Sequence, residues 1–256
     1  MTEYYVYEQP LNEKVRSFLR LEKLFQEYSF HLQHDSHWNN RIAIDSILQL
    51  LAYTTRTDIK LEVLKELERQ HSRLERLSKR PQIDQSQLAS LLNNIQKHIA
   101  NLQGISGQFG QDTKNIELLS AIAQKSSVPG SICDFDLPML RHWFTLPKEI
   151  RHQHIQKWYQ PFSHLDHSVQ LILDVLRQSA EATDEIAQHG FFQRSLDTNH
   201  AIQLLRISIP IDGSYFPETS AGRHRFSIRF MSNEDPALRP EQCKQDIHFK
   251  LTMCAI

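Results

Sequence analysis

Glycine is scarce in this sequence, with seven in 256 residues. So few leave little material for loops that cradle phosphates, and no P-loop, Walker-type lysine or nucleophile elbow is present. Cysteine is scarcer still. Cys133, Cys243 and Cys254 are odd in number and lack metal-type spacing, which argues against a disulfide framework and fits a reduced cytoplasmic compartment. Long apolar runs are missing too: no window approaches the roughly 18 residues needed to cross a bilayer, so no membrane insertion is expected. The opening MTEYYVYEQP has an acid at Glu3 and no apolar core run, unlike a signal peptide. Neither charge is in excess, at 29 basic against 30 acidic residues. A dedicated nucleic-acid binder would be strongly basic, so any electrostatic function must come from local patches.

What is present is a globular composition, 40% hydrophobic and 23% charged, whose apolar period changes once. From about 11 to 181 the spacing is helical; after about 190 it alternates. The expected class is α+β, with a mainly helical bundle domain over 1–181 and a small antiparallel β domain over 182–256. The YYVY segment at 4–7 reads as a strand belonging to the later sheet.

The stretch Leu11–Tyr28 carries two stripes. Leu11, Val15, Phe18, Leu21, Phe25 and Tyr28 recur at three- and four-residue steps and form one apolar helix face. Arg16, Arg20 and Lys23 fall at i, i+4 and i+7 on the other side, with no acid in that row. A solvated face usually mixes signs, because like charges four apart repel. The row therefore reads either as an ordinary solvated face or as a surface for an anionic partner.

Further helices are expected at Ile42–Tyr53, Asn115–Lys125, Leu137–Phe144 and Lys148–Tyr159, with another after Pro161. In Asp58–Arg80, Leu64, Leu67, His71, Leu74 and Ser78 follow a heptad rhythm. Asp84, with Gln87 three residues on, opens a second series at Leu88, Leu91, Leu92, Ile95, Ile99 and Leu102. The short RPQI connection makes these two an antiparallel hairpin. Gly104, Gly107 and Gly110 then mark a flexible break.

Three tail segments alternate cleanly. Arg206–Ile211 turns Ile207, Ile209 and Ile211 inward; Arg225–Phe230 turns Phe226, Ile228 and Phe230 inward; Asp246–Met253 turns Ile247, Phe249, Leu251 and Met253 inward. That predicts an antiparallel sheet with one buried face, and a fourth strand beginning at Gly190–Phe192. The outward set, including Arg206, Arg225, Arg229 and Lys250, is basic and free of carboxylates.

No catalytic constellation stands out, and no enzyme activity, cofactor or metal is expected. Among fourteen histidines, His152, His154, His164 and His167 cluster around Asp166. However, HxH on a helix splays its imidazoles about 200° apart, and zinc sites show tighter ligand spacing, so surface histidines are the plainer reading. Cys133 lies beside Asp134 and Asp136, which would blunt a nucleophile; a buried structural thiol is the better reading. Pro138 stands at the first position of a short helix that presents Arg141 and His142 beside Trp143 and Phe144, which reads either as the residue mix of a binding hot spot or, for the two aromatics, as simple core.

These segments together resemble the ZapD (Z-ring-associated protein D) family of bacterial cell-division proteins. The likeness covers nearly the whole chain. It is carried by EQPLNEKVRSFLRLE at 8–22, LKELERQ at 64–70, VPGSICDFDLPMLRHW at 128–143, LILDVLRQSA at 171–180, GFFQ at 190–193 and RFSIRFM at 225–231. The resemblance implies a helical domain joined to a small β domain, assembled as a homodimer without enzyme activity. It implies binding to the C-terminal tail of FtsZ at the midcell division ring, with the dimer crosslinking and bundling FtsZ filaments. Carried over by position, it points to Arg16, Arg20, Arg56, Arg141, Arg225 and Arg229 as tail contacts. At Gly110–Glu117 the chain departs from the family, which is arginine-rich there, leaving Lys114 as the basic residue. The alternative is a nucleic-acid-binding module on the basic sheet face; the charge balance and the lack of an outward aromatic stacking row count against it.

Overall fold

A computed structural model describes residues 3–56, 58–77, 84–126, 133–196, 201–211, 213–233 and 235–256, with the side chains of Arg56 and Leu77 also set aside. The chain opens with strand β1 (Tyr4–Pro10) and runs through helices α1 (Glu13–Gln33), α2 (His37–Arg56), α3 (Ile59–Leu77), α4 (Gln85–Gln103), α5 (Gln111–Lys114), α6 (Glu117–Lys125), α7 (Pro138–Phe144), α8 (Lys148–Tyr159) and, after a 3₁₀ turn at Gln160–Phe162, α9 (Ser163–Arg177). Strands β2 (Thr183–Ala187), β3 (Phe191–Ser195), β4 (Leu204–Pro210), β5 (Tyr215–Ala221), β6 (Arg225–Ser232), β7 (Glu241–Gln242) and β8 (Ile247–Cys254) follow. This is the α+β arrangement expected from the change of period. The expected division at 181/182 falls between α9 and β2, with β1 on its helical side. Spatial contacts group Phe18–Ile172 as one compact unit, and Met1–Ser17 with Leu173–Ile256 as the other.

In the helical unit, local chemistry sets where elements begin. Ser36 Oγ accepts from the Asn39 amide at 3.0 Å at the head of α2. Asp84 accepts from Ser86 and Gln87 amides at 2.9 and 3.1 Å at the head of α4, as an N-cap must. The apolar face read on α1 is buried at Phe18, Leu21, Phe25 and Tyr28. The stripe on α3 is not the one the heptad rhythm suggested. Ile59, Val63, Glu66, Leu67 and Gln70 are buried, whereas Leu64, His71 and Leu74 are half-exposed. The reason is a polar pairing: Gln70 donates to the Ile172 carbonyl at 3.1 Å, and Arg69 Nε binds Glu66 at 3.0 Å, so polar side chains turn inward. Helices α3 and α4 pack together, and a Lys60–Ile105 carbonyl hydrogen bond sets the start of α3 beside the end of α4, an antiparallel pair. The RPQI connection and Pro81 lie outside the described residues, as do 128–132 of the VPGSICDFDLPMLRHW segment. The glycine break is not loose at Gly110, where φ is +69° and an added Cβ would meet Phe162 and Leu51 at 2.6 and 2.7 Å. Only glycine suits that close approach.

The tail forms two sheets rather than one. Their orders are β1-β4-β8-β2 and β3-β6-β5, with β7 also pairing β6, and the named ladders are antiparallel. Both sheets turn their apolar rows into one core: Ile207, Ile209, Ile247, Phe249 and Leu251 from one, Phe226, Ile228 and Phe230 from the other. Phe249 joins them, 5.2 Å from Phe192 and 5.0 Å from Phe230 by ring centroid. Ile211 falls beyond the end of β4 and is exposed, contrary to its place in the inward row.

The second face of the first sheet is covered as well. Leu204, Thr252 and Cys254 are buried, and burial pushes the Cys254 thiol up to about 11. There Glu8 of β1 accepts from Arg177 at 2.9 and 2.8 Å and from Arg206, its register partner on β4, at 3.0 Å. Burial alone would raise the Glu8 pKa; the hydrogen bonds and charges of Arg177 and Arg206 outweigh it and hold the carboxylate below its usual range. A lowered carboxylate pKa contributes stability above the unfolded-state value and loses it as pH falls through the folded value. Glu8→Gln should therefore lower the unfolding free energy by about 2 kcal/mol near neutrality. In urea melts against pH, the gap between parent and variant should close at acid pH, below the ordinary carboxylate range.

Candidate functional site

The six arginines singled out by sequence fall on four elements of the two units. On α1, Arg16 and Arg20 stand one turn apart on the face opposite the buried row. Arg16 pairs with Glu13, and Lys23 with Glu27 at 3.7 Å. The row is therefore not free of acid partners, because a long side chain reaches carboxylates one turn away that lie off the row itself. Among the described residues of this row, Arg20 alone has no carboxylate partner, and it is exposed. The Arg16 and Lys23 pairs lie in solvent, where such contacts are worth only about 0–1 kcal/mol, so an incoming carboxylate can replace them.

Arg225 and Arg229 project from the exposed row of β6. Ser195 faces Arg225 across the ladder, and Arg229 lies between Phe191 on β3 and Glu218 on β5. The outward rows are not carboxylate-free, because strands with little apolar signature supply acids. Glu218 faces Arg229, Glu8 binds Arg206, and Asp184, opposite Lys250 in register, lies 3.8 Å from its Nζ. Arg206 and Lys250 are thus tied into the fold, while Arg225 and Arg229 stay exposed.

Arg141 projects from α7, which Pro138 begins. It is 59% exposed and its Nε stands 3.5 Å from Asp134, a loose pair. Arg141 lines a cleft of about 220 Å³ with His37, Trp38, Arg41, Leu140 and Phe144, all in the helical unit. Trp38 is 80% exposed, while His37 stacks on Phe144 at 4.5 Å. Arg41 is mostly buried and bound to Asp45, Nη2 at 2.8 Å and Nε at 3.1 Å, yet its buried Nη1 has no hydrogen-bond partner among the described residues. Burial pushes the Asp45 carboxyl up against the pull of Arg41. The periodicity starts this helix at Ile42 and so passes over both Trp38 and Arg41. A signal existed: Ser36 with Asn39 three residues on marks a start at 37, and Trp38 lies off the buried row of Ile44, Ile47 and Leu51. Arg56 is the last residue of α2, and its side chain lies outside the described ones. Lys114 is exposed at the end of α5.

Cys133 also lines the cleft and is exposed, which corrects its reading as a buried thiol: it precedes a surface turn at 134–136 rather than a core element. Among the described residues no group of three or more His, Cys, Asp or Glu is placed to hold a metal ion. Two members of the cluster, His154 and Asp166, are engaged elsewhere. His154 Nδ1 accepts from Trp143 Nε1 at 3.1 Å. Asp166 accepts from the Tyr159 hydroxyl and from Gln170 at 2.6 Å, with its pKa raised by burial despite those bonds. Burial and the Asp166 charge drive the Tyr159 phenol far above its usual range, so this is a structural contact in the core. No described helix is long and apolar enough to cross a membrane.

Comparison with known proteins gives one consistent result. The model of the ZapD family, described as a cell division protein, matches residues 19–229. The cell division protein ZapD of Methylococcus capsulatus (strain ATCC 33009 / NCIMB 11132 / Bath) is 39% identical over 254 residues, covering 98% of each chain. The proteins of the same name from Nitrosomonas eutropha and Nitrosomonas europaea are each 32% identical over 250 residues. Those alignments cover 98% of this chain and 99% and 95% of theirs.

The exposed and buried arginines should separate in stability measurements. Arg20→Ala, which removes an exposed side chain without a carboxylate partner, should change the unfolding free energy by no more than about 0.5 kcal/mol. Arg151 is buried and donates to Asn40, Asp35 and the Leu146 carbonyl at 2.9, 2.9 and 2.6 Å. Arg151→Ala should cost about 3 kcal/mol in the same urea titration.

Proposed function

The chain belongs to the ZapD family of cell division proteins, and from that premise we propose that it binds the C-terminal tail of FtsZ and, as a homodimer, crosslinks and bundles FtsZ filaments. It has a role in cell division. On this reading it acts in the cytoplasm at the midcell ring as a non-enzymatic adaptor. Arg16, Arg20, Arg56, Arg141, Arg225 and Arg229 supply the tail contacts.

The observation that carries this reading is the state of Arg20. It is held by a helix whose opposite face is buried, it is exposed, and no described carboxylate neutralises it. A planar guanidinium in that state can meet a carboxylate with two parallel hydrogen bonds. Arg225 and Arg229 offer the same chemistry from a rigid strand. A two-fold dimer presents each site twice, so two weak contacts to one polymer add avidity without new chemistry.

Arg20→Glu should sharply reduce co-sedimentation with FtsZ filaments and their bundling by light scattering, while the thermal transition stays where it was. A charge-reversed protein that sediments with filaments at the parental level would overturn the assignment. Bundling should also weaken as salt is added, since exposed charges are screened beyond about 8 Å at physiological ionic strength.

A further inference from the structure

The cleft at the start of α2 holds more recognition chemistry than Arg141 by itself. Its volume, about 220 Å³, falls below the roughly 300 Å³ at which small-molecule sites begin, and suits side chains of a peptide better than a cofactor. Among its described lining residues, two guanidiniums, Arg41 and Arg141, stand against one carboxylate, Asp134. That carboxylate holds Arg141 loosely, at 3.5 Å, and is itself 74% exposed. Arg41 is satisfied by Asp45 along one edge only, and its buried Nη1 lacks an acceptor among the described residues. Native structures leave few buried donors in that condition. Beside these cations lie Leu140, Phe144 and the exposed Trp38 indole. An exposed tryptophan next to arginines is the composition of an interface anchor, and not of an inert surface.

We infer that this cleft anchors one acidic residue of the FtsZ tail together with an adjoining apolar side chain, with Arg41 and Trp38 as the recognising groups. The inference rests on the tail-binding reading above and adds where part of the tail docks. The carboxylate displaces Asp134 from the exposed Arg141 and gains the adjoining charge of Arg41. The apolar neighbour packs between Trp38, Leu140 and Phe144, removing the indole from water. The positive end of α2 adds to the attraction.

The test is a titration of the full chain with a synthetic peptide of the FtsZ C-terminal tail. Of the three tryptophans, Trp143 and Trp158 are buried, so a change of emission on titration reports Trp38. By anisotropy of labelled peptide, Trp38→Ala and Arg41→Gln should each weaken binding about tenfold or more. Asp134→Asn should strengthen it about threefold by releasing Arg141. Trp38 and Asp134 are exposed, so their variants keep the test open should Arg41→Gln unfold the helix. Parent protein that binds the peptide while Trp38→Ala and Asp134→Asn bind it within twofold of the parent overturns this inference and leaves tail binding intact. Parent protein that does not bind the peptide overturns both.

Discussion

Glu8 is the group on which the sheet unit depends. Its carboxylate accepts hydrogen bonds from Arg177 and from Arg206, residues brought to it from the end of α9 and from β4. A half-buried charge is tolerable only when paired and hydrogen-bonded, so these two guanidiniums hold the register that puts Glu8 opposite Arg206. That register sets β1 along the edge of the first sheet. Because α1 begins at Glu13, three residues after β1 ends, it also sets where the helix carrying Arg16 starts.

The same pairing sorts the cations. Arg206, Arg177 and Arg151 are drawn into the fold by carboxylates and carbonyls and are unavailable to a partner. Arg20, Arg141, Arg225 and Arg229 remain exposed on rigid elements. With net charge near zero, long-range attraction contributes little and recognition falls to local geometry. The helical unit supports this through buried polar pairings: Tyr159 on Asp166, Gln70 on Ile172, Arg151 on Asn40. These contacts hold α1, α2 and α7 in place, so their exposed residues can answer to a ligand and not to folding.

Much of the fold was readable from periodicity because burial follows the local twist of the chain. The apolar row of α1 and the alternating rows of β4, β6 and β8 are buried where read, apart from the exposed Ile211 and the half-buried Leu11 and Met253. Besides the two-residue β7, the strands that escaped, β2 with TDEIA and β5 with YFPETSA, lie at sheet edges. Edge strands bury little, so they need no alternation and accept a proline such as Pro217. The α3 stripe was misplaced for a related reason. Buried Glu66 and Gln70 look like surface residues until Arg69 and the Ile172 carbonyl are seen beside them.

By itself the sequence determined the class of fold, the helical run before the alternating tail, the family and the set of candidate arginines, since helix and strand periods and motif order are properties of the linear chain. Beyond the ion pairs one helical turn apart, tertiary structure alone decided which cations are neutralised. Glu8 and Arg206 stand 198 residues apart in sequence and 3.0 Å apart in space. It also split the tail into two sheets with one core, exposed Cys133, and set Trp38 and the half-satisfied Arg41 beside Arg141. Charge compensation and burial depend on distance through space, which no local pattern records.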